Sequence, residues 1–353
     1  MHNELLVAGL LLGEASVVLD LSCRLFGSYS RNLGRLALKV CVVVAACCAL
    51  AAPAVFSLLN PGSGPPLGLW LSGVAGVLIA THFMFPCRFG IVRGSRGFAR
   101  GQREQLCPGA ELRVETFAAE RVPRAADGFE CLVLSDLHCN TRRKLGFLRR
   151  VVKALSRSAP DAVFILGDLG ENAGLLPAVF AALADLPEKC GKFLVRSNHD
   201  FEGQRGALVE RLARENGIQI LSNQQADLSE SGLSVVGLET PWCRSPLPQR
   251  GGRRAFTIGL SHTPDNISLL ARLGVDLALA GHIHGGALRL PAVGAFIVPS
   301  RFGRFLDRGW FGKRKTSLFI TEGFGYFPGA FGLRAEVVKL ILRKPGPNGG
   351  WGA

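Results

Sequence analysis

The stretch Phe129-Glu-Cys-Leu-Val-Leu-Ser-Asp-Leu-His138 decides how the fold is read. Phe129 to Leu134 is a mostly apolar strand candidate, and it stops abruptly at the polar run Ser135-Asp-Leu-His138. The same pattern returns along the chain. Ala162 to Leu166 ends in Gly167-Asp168, and Lys192 to Val195 in Arg196-Ser-Asn-His-Asp200. Ala255 to Leu260 ends in Ser261-His262, and Asp276 to Ala280 in Gly281-His-Ile-His284. Amphipathic stretches at Leu145–Leu155, Leu175–Leu186 and Ala207–Glu215 predict helices between the strands. Leu233–Leu238, Ser317–Thr321 and Val337–Leu342 predict further strands. Strands alternating with helices define an α/β class, and no internal repeat is evident.

Strand ends in an α/β fold converge on one edge, where ligands bind. Asp136, His138, Asp168, Asn198, His262, His282 and His284 therefore face one crevice. A single buried histidine is usually a satisfied structural residue; seven such residues at the ends of five strands are hard to explain by chance. Asp, Asn and His form a hard-to-borderline donor set suited to manganese, iron or zinc rather than calcium. They are too many for one tetrahedral site and suit two ions sharing a bridge. Such a pair activates water and clamps the oxygens of an in-line phosphoryl displacement.

The order Asp136-Leu-His138, Gly167-Asp168, Asn198-His-Asp200, His262 and Gly281-His-Ile-His284 resembles the calcineurin-like metallophosphoesterases, over roughly Phe129 to Leu342. The resemblance implies a β-sandwich flanked by helices in four layers. It also implies two divalent metal ions, manganese first with iron or zinc as alternatives. Asp136, His138 and His284 would bind one ion, Asn198, His262 and His282 the other, and Asp168 would bridge them. His199 would contact the scissile phosphate and assist the leaving oxygen. Glu171, three places after the bridging residue, would orient His199, with Asp200 as an alternative holder of that loop. One departure stands out: the family usually has glycine before Asn-His, and this chain has Ser197, which would be strained if the turn needed positive φ.

Gly285-Gly-Ala-Leu-Arg-Leu-Pro291 and Val298-Pro-Ser-Arg-Phe-Gly-Arg304 resemble the membrane-associated bacterial branch, which includes a pyrophosphatase of lipid A biosynthesis. That resemblance implies hydrolysis of a phosphodiester or pyrophosphate in a lipid-linked substrate such as UDP-2,3-diacylglucosamine, giving UMP and a lipid monophosphate. The alternatives are a soluble or cell-wall phosphate, or a non-catalytic scaffold; the full ligand set argues against the scaffold.

Charge agrees with an acidic partner: the 353 residues carry a net charge of +14. Arg142, Arg143 and Arg301 are candidate phosphate contacts, with a solvated surface as the alternative reading. The expected partners are an anionic phosphorylated lipid or nucleotide-lipid and the membrane. No nucleic acid and no protein partner is expected. Ten scattered cysteines without a C-x-x-C pair read as reduced thiols.

The N-terminal region is apolar. Residues 36–59 and 67–85 are each long enough to cross a bilayer. Residues 1–22 read as either a third span or an interfacial helix. Arg24, Arg31, Arg35 and Lys39 precede the pair, and Arg88, Arg93, Arg96, Arg100 and Arg103 follow it, with no cation in the turn Asn60–Pro66. The positive-inside rule then gives a multi-pass inner-membrane protein with its catalytic domain in the cytoplasm. Residues 86–112 read as a basic linker, 113–345 as the catalytic domain and 346–353 as a tail.

Overall fold

In a computed structural model the chain divides into two compact units, one of Met1–Val92 and Gly285–Asp307, the other of Arg93–His284 and Arg308–Ala353. The structure describes residues 90–94 and 98–346, apart from 204, 229, 244, 248–255, 287–288, 291–293, 296–297 and 326–333.

In chain order the strands begin with β1 (Ile91–Arg93), β2 (Phe98–Cys107), β3 (Ala110–Ala118), β4 (Glu130–Leu134) and β5 (Ala162–Ile165). There follow β6 (Lys192–Leu194), β7 (Ile218–Ile220), β8 (Gln225–Leu228), β9 (Leu233–Leu238), β10 (Phe256–Ser261) and β11 (Leu277–Ala280). The last are β12 (Arg289–Leu290), β13 (Gly294–Ala295), β14 (Gly309–Lys313), β15 (Thr316–Ile320) and β16 (Ala335–Arg343). The helices are α1 (Arg142–Leu155), α2 (Leu176–Ala184), α3 (Asn198–Phe201), α4 (Arg205–Glu215) and α5 (Ile267–Arg272).

The larger unit holds two sheets. One runs β2-β3-β16-β4-β5-β6-β7, and the other runs β14-β15-β11-β10-β9-β8. In the first, β4, β5 and β6 are parallel and end level, with Leu134 beside Ile165 and Ile165 beside Leu194. In the second, Ser261 at the end of β10 lies between Leu238 and Ala280 at the ends of β9 and β11. Parallel pairing thus brings the loops that follow these strands to one edge of each sheet.

Side-chain alternation builds the layers. Cys131 and Val133 of β4 and Phe164 of β5 pack with Ile258 and Leu260 of β10 and Leu279 of β11 in an inner core between the sheets. Leu132, Leu134, Val163 and Ile165 point the other way, against Leu148 and Val151 of α1, Val179 and Phe180 of α2 and Val209 of α4. α5 covers the outer face of the second sheet, where Gly259 leaves room for Leu270. The four layers match the expected sandwich. Truncating a fully buried ring such as Phe164 would cost about 3–5 kcal/mol.

The smaller unit has, among its described residues, the antiparallel pair β12–β13 and a 3-10 turn at Gly303–Phe305. The expected spans 36–59 and 67–85, and the segment 1–22, lie outside the described residues. The expected multi-pass inner-membrane location is corrected: among the described residues no helix is long and apolar enough to cross a membrane. The longest, α1, has 14 residues and carries arginines and lysines along its length, whereas crossing takes roughly 20 apolar residues. β2 lies in the stretch read as a linker. Its core, Gly101-Gln-Arg-Glu-Gln105, has no apolar alternation to announce a strand; it is held by antiparallel pairing to β3 and by Arg103 donating to Glu322 at 2.6 Å.

Candidate metal centre

Asp136, His138, Asp168, His282 and His284 all have positive φ, between 40° and 71°. Residues with a Cβ seldom adopt this conformation, and each such residue costs about 1–3 kcal/mol unless its surroundings hold it. Here the loops brace one another. Asp136 N–H donates to Gly167 O at 3.0 Å, His138 N–H to Asp168 O at 2.9 Å, and Gly281 N–H to His262 O at 2.9 Å. Two motif glycines are dictated by space. A Cβ on Gly281 would overlap Ser135 Oγ and lie 2.6 Å from Asp136 Oδ2. A Cβ on Gly167, whose φ is +85°, would lie 2.8 Å from the Ser197 Cβ.

These turns gather two groups of donors. In one, atoms of Asp136, His138, Asp168 and His284 lie within 4.8 Å of one another; in the other, atoms of Asp168, His262 and His282 do. Asp168 belongs to both: its Oδ2 is 3.4 Å from His138 Nε2 and 3.3 Å from His262 Nε2. His138 Nε2 faces His284 Nε2 at 3.4 Å, and His262 Nε2 faces His282 Nδ1 at 3.0 Å.

The outer partners set the tautomers. His262 Nδ1 lies 2.6 Å from Leu166 O, which can only accept, so Nδ1 carries a proton and Nε2 is the nitrogen turned inward. His138 Nδ1 donates likewise to Glu171 Oε1 at 2.8 Å. Ser135 Oγ donates to Asp136 Oδ2 at 2.6 Å. Behind Asp168, the Ser197 hydroxyl accepts from Asp168 N–H at 2.9 Å and lies against the carboxylates of Asp168 and Asp200. Asp200 is fully buried and accepts from the N–H groups of Ser197, Asp168 and Leu169 at 2.9–3.1 Å, so it holds the loop. Burial and Asp168 push its carboxyl up. Ser197 has φ −113° and caps α3, so no positive φ is needed and the expected strain is absent.

The buried donors call for positive charge. Burial opposes a charge on His262, yet Asp168 beside it holds its pKa up at about 9. Burial and His262 press His282 down to about 3. Asp168 sits well below the usual carboxylate range: burial works against this, and His262 and His138 override it. Among the described residues Asn198 Oδ1 is buried with no hydrogen-bond partner, a costly state for an acceptor. Facing ring nitrogens, a shared carboxylate and an orphaned amide oxygen all fit divalent cations.

His199 opens toward solvent beside this cluster, its ring 5.4 Å from that of His138. Glu171 lies between the two histidines, and its closer partner is His138; His199 Nδ1 is 3.5 Å away. Arg142 and Arg143 are exposed in the first turn of α1, which begins four residues after His138. Arg301 belongs to the smaller unit, its guanidinium 4.8 Å from the Phe302 ring. Three neighbours escape a sequence reading. Trp242 packs edge-on against His262 and His282 at 5.5 and 6.0 Å, from a loop without any motif. Arg205 ties two loops by donating to His199 O at 3.0 Å and Glu171 O at 3.2 Å. Ser197 is visible in the sequence only as a departure from the family pattern.

Residues 129–286 match the family described as calcineurin-like phosphoesterase. An uncharacterized metallophosphoesterase, YkuE, of Bacillus subtilis is 27% identical over 262 residues, covering 71% of this chain and 90% of the relative. The phosphodiesterase YaeI of Escherichia coli is 28% identical, covering 61% and 82%. A transmembrane protein with metallophosphoesterase domain from Danio rerio is 25% identical, covering 64% of this chain and 55% of its own length. Residues 129–286 thus match a calcineurin-like phosphoesterase domain, and the relatives that the chain resembles carry metallophosphoesterase and phosphodiesterase names.

Proposed function

We propose that the chain hydrolyses phosphodiester or pyrophosphate bonds at a centre of two divalent cations, with manganese first and iron or zinc as alternatives. Asp136, His138 and His284 would hold one cation, Asn198, His262 and His282 the other, and Asp168 both. The observation that carries this reading is Asp168 Oδ2, at 3.4 and 3.3 Å from one histidine of each group. When bound, the cations polarise the phosphoryl group and make water a nucleophile at neutral pH.

The chain's own residues do the rest. Glu171 and Leu166 O keep the lone pairs of His138 and His262 turned inward. Ser197 and Asp200 fix the turn that aims Asp168. His199, at the open side, would give a proton to the departing oxygen, with Arg205 and Glu171 holding it in place. Arg142 and Arg143 would attract the anionic substrate. The name of the E. coli relative supports a diester. The finer reading is a lipid-linked pyrophosphate such as UDP-2,3-diacylglucosamine, supported by the Gly285–Pro291 and Val298–Arg304 motifs; release of UMP is its test.

The decisive experiment strips the full chain of metal with a chelator, restores each cation in turn, and follows bis(p-nitrophenyl) phosphate. Hydrolysis should vanish and return with manganese, iron or zinc. A protein that binds two cations per chain and hydrolyses no phosphoester would overturn the reading.

A further inference from the structure

Helix α1 carries its charge where a helix alone would not place it. Its first turn, Arg142-Arg-Lys144, has three cations and no acid at the end where the peptide dipoles already concentrate positive charge. No Asp or Glu occurs between Asp136 and Asp161. Arg142, Arg143, Arg149, Arg150 and Lys153 are all exposed. At 3.6 residues per turn they fall within about a third of the helix circumference, so they form one stripe. Arg149 and Lys153, and Arg150 and Lys153, are like-charged neighbours, which weakens a helix. Among the described residues none of the five is in an ion pair. α4 shows the ordinary alternative: Arg211 lies 3.8 Å from Glu215 and Arg214 lies 3.6 Å from Glu210. The stripe starts four residues beyond His138 and runs away from it. Further along, Arg149 and Lys153 line a groove with Ala181, Ala182 and Asp185.

We infer that this face of α1 docks the anionic chain of an extended substrate bearing several phosphates, one of which reacts at the Asp168 centre. The inference rests on the proposed phosphoesterase reading. The chemistry of the face selects this occupant. The apolar side chains of α1, Leu145, Leu148, Val151, Val152 and Leu155, are buried in the core, so the helix has nothing to insert into a lipid layer. Phe147 is buried beneath the Arg150 guanidinium at 5.5 Å, so the face offers no aromatic surface on which a base could stack. What remains is charge in a line, which recognises a line of opposite charge.

The test uses the full chain and labelled long-chain inorganic polyphosphate, with binding read by fluorescence anisotropy in the presence of chelator, so that no turnover is needed. The triple variant Arg149→Glu, Arg150→Glu, Lys153→Glu should weaken binding about tenfold or more and lower the slope of log Kd against log salt by about 2–3. Its kcat/KM for bis(p-nitrophenyl) phosphate and its affinity for pyrophosphate should be unchanged. The milder pair Arg149→Gln, Lys153→Gln should show a smaller loss in the same direction, which keeps the test sound if the triple variant is unstable. Arg211→Glu with Arg214→Glu should leave binding intact. Equal loss in that control would reduce the effect to net charge and overturn the inference. So would unchanged polyphosphate binding, including the case where only binding to phosphatidylglycerol vesicles is lost. Failure of the wild-type chain to hydrolyse the small diester would sink the phosphoesterase reading and leave the binding result standing.

Discussion

In the group Asp136, His138, Asp168 and His284 every backbone is left-handed; in the group Asp168, His262 and His282, His262 is not. His262 follows directly from β10, where sheet register puts Ser261 between Leu238 and Ala280, and its ring is set by a main-chain carbonyl, Leu166 O. His138 instead sits in a tight turn braced by Asp168 O, and its ring is set by a side chain, Glu171. The first group is aimed entirely by strained loops that lean on one another; in the second, His262 alone is delivered by the sheet, while Asp168 and His282 share the left-handed turns. Regular structure delivers a ligand at no conformational cost but fixes its direction; a left-handed turn can point it anywhere and must be held by neighbours.

Four substitutions probe this contrast. The largest effect belongs to the residue common to both groups: Asp168→Asn should lower kcat by about 10³-fold or more, with metal lost from both positions on titration. Near wild-type turnover at saturating manganese would show that the two groups do not share it. Next, His199→Ala should lower kcat by roughly 10²–10⁴-fold while two metals stay bound, because it lies outside both groups. The loss should be deeper for substrates with poor leaving groups; a uniform loss would point to binding rather than proton donation.

Glu171→Ala sharpens the asymmetry. It should weaken one metal position by about 10–100-fold and leave the other intact, since only His138 depends on it for its tautomer. Calorimetric titration showing both positions equally weakened would break the comparison. The smallest effect is expected from Ser197→Gly. The extended backbone at 197 needs no glycine, so the change removes only a cap and a hydroxyl between two buried carboxylates. Stability should fall by about 1 kcal/mol, with turnover altered only a few-fold. A rise in stability in thermal unfolding would mean that serine strains the turn after all.

Much of this centre is legible in the amino-acid sequence. Asp136, Asp168, His262 and His282 each follow a short apolar run, and those runs coincide with β4, β5, β10 and β11 within a residue or two. A ligand needs a fixed type at a strand end, and both properties are written locally. β2 is illegible because its polar face carries no alternation and its partner, β3, is decided by pairing. Which neighbour Glu171 serves is equally hidden, since positions 138, 171 and 199 are brought together only by parallel strands ending level.

Sequence alone named the candidate donors, the α/β order and the glycines at 167 and 281, because each is a matter of residue type beside a strand. Tertiary structure alone decided that Asp168 lies between two histidines, that Ser197 rests in extended backbone, and that Trp242 and Arg205 buttress the cluster. Those facts depend on distances between loops far apart in the chain, and only the register of the two sheets sets them.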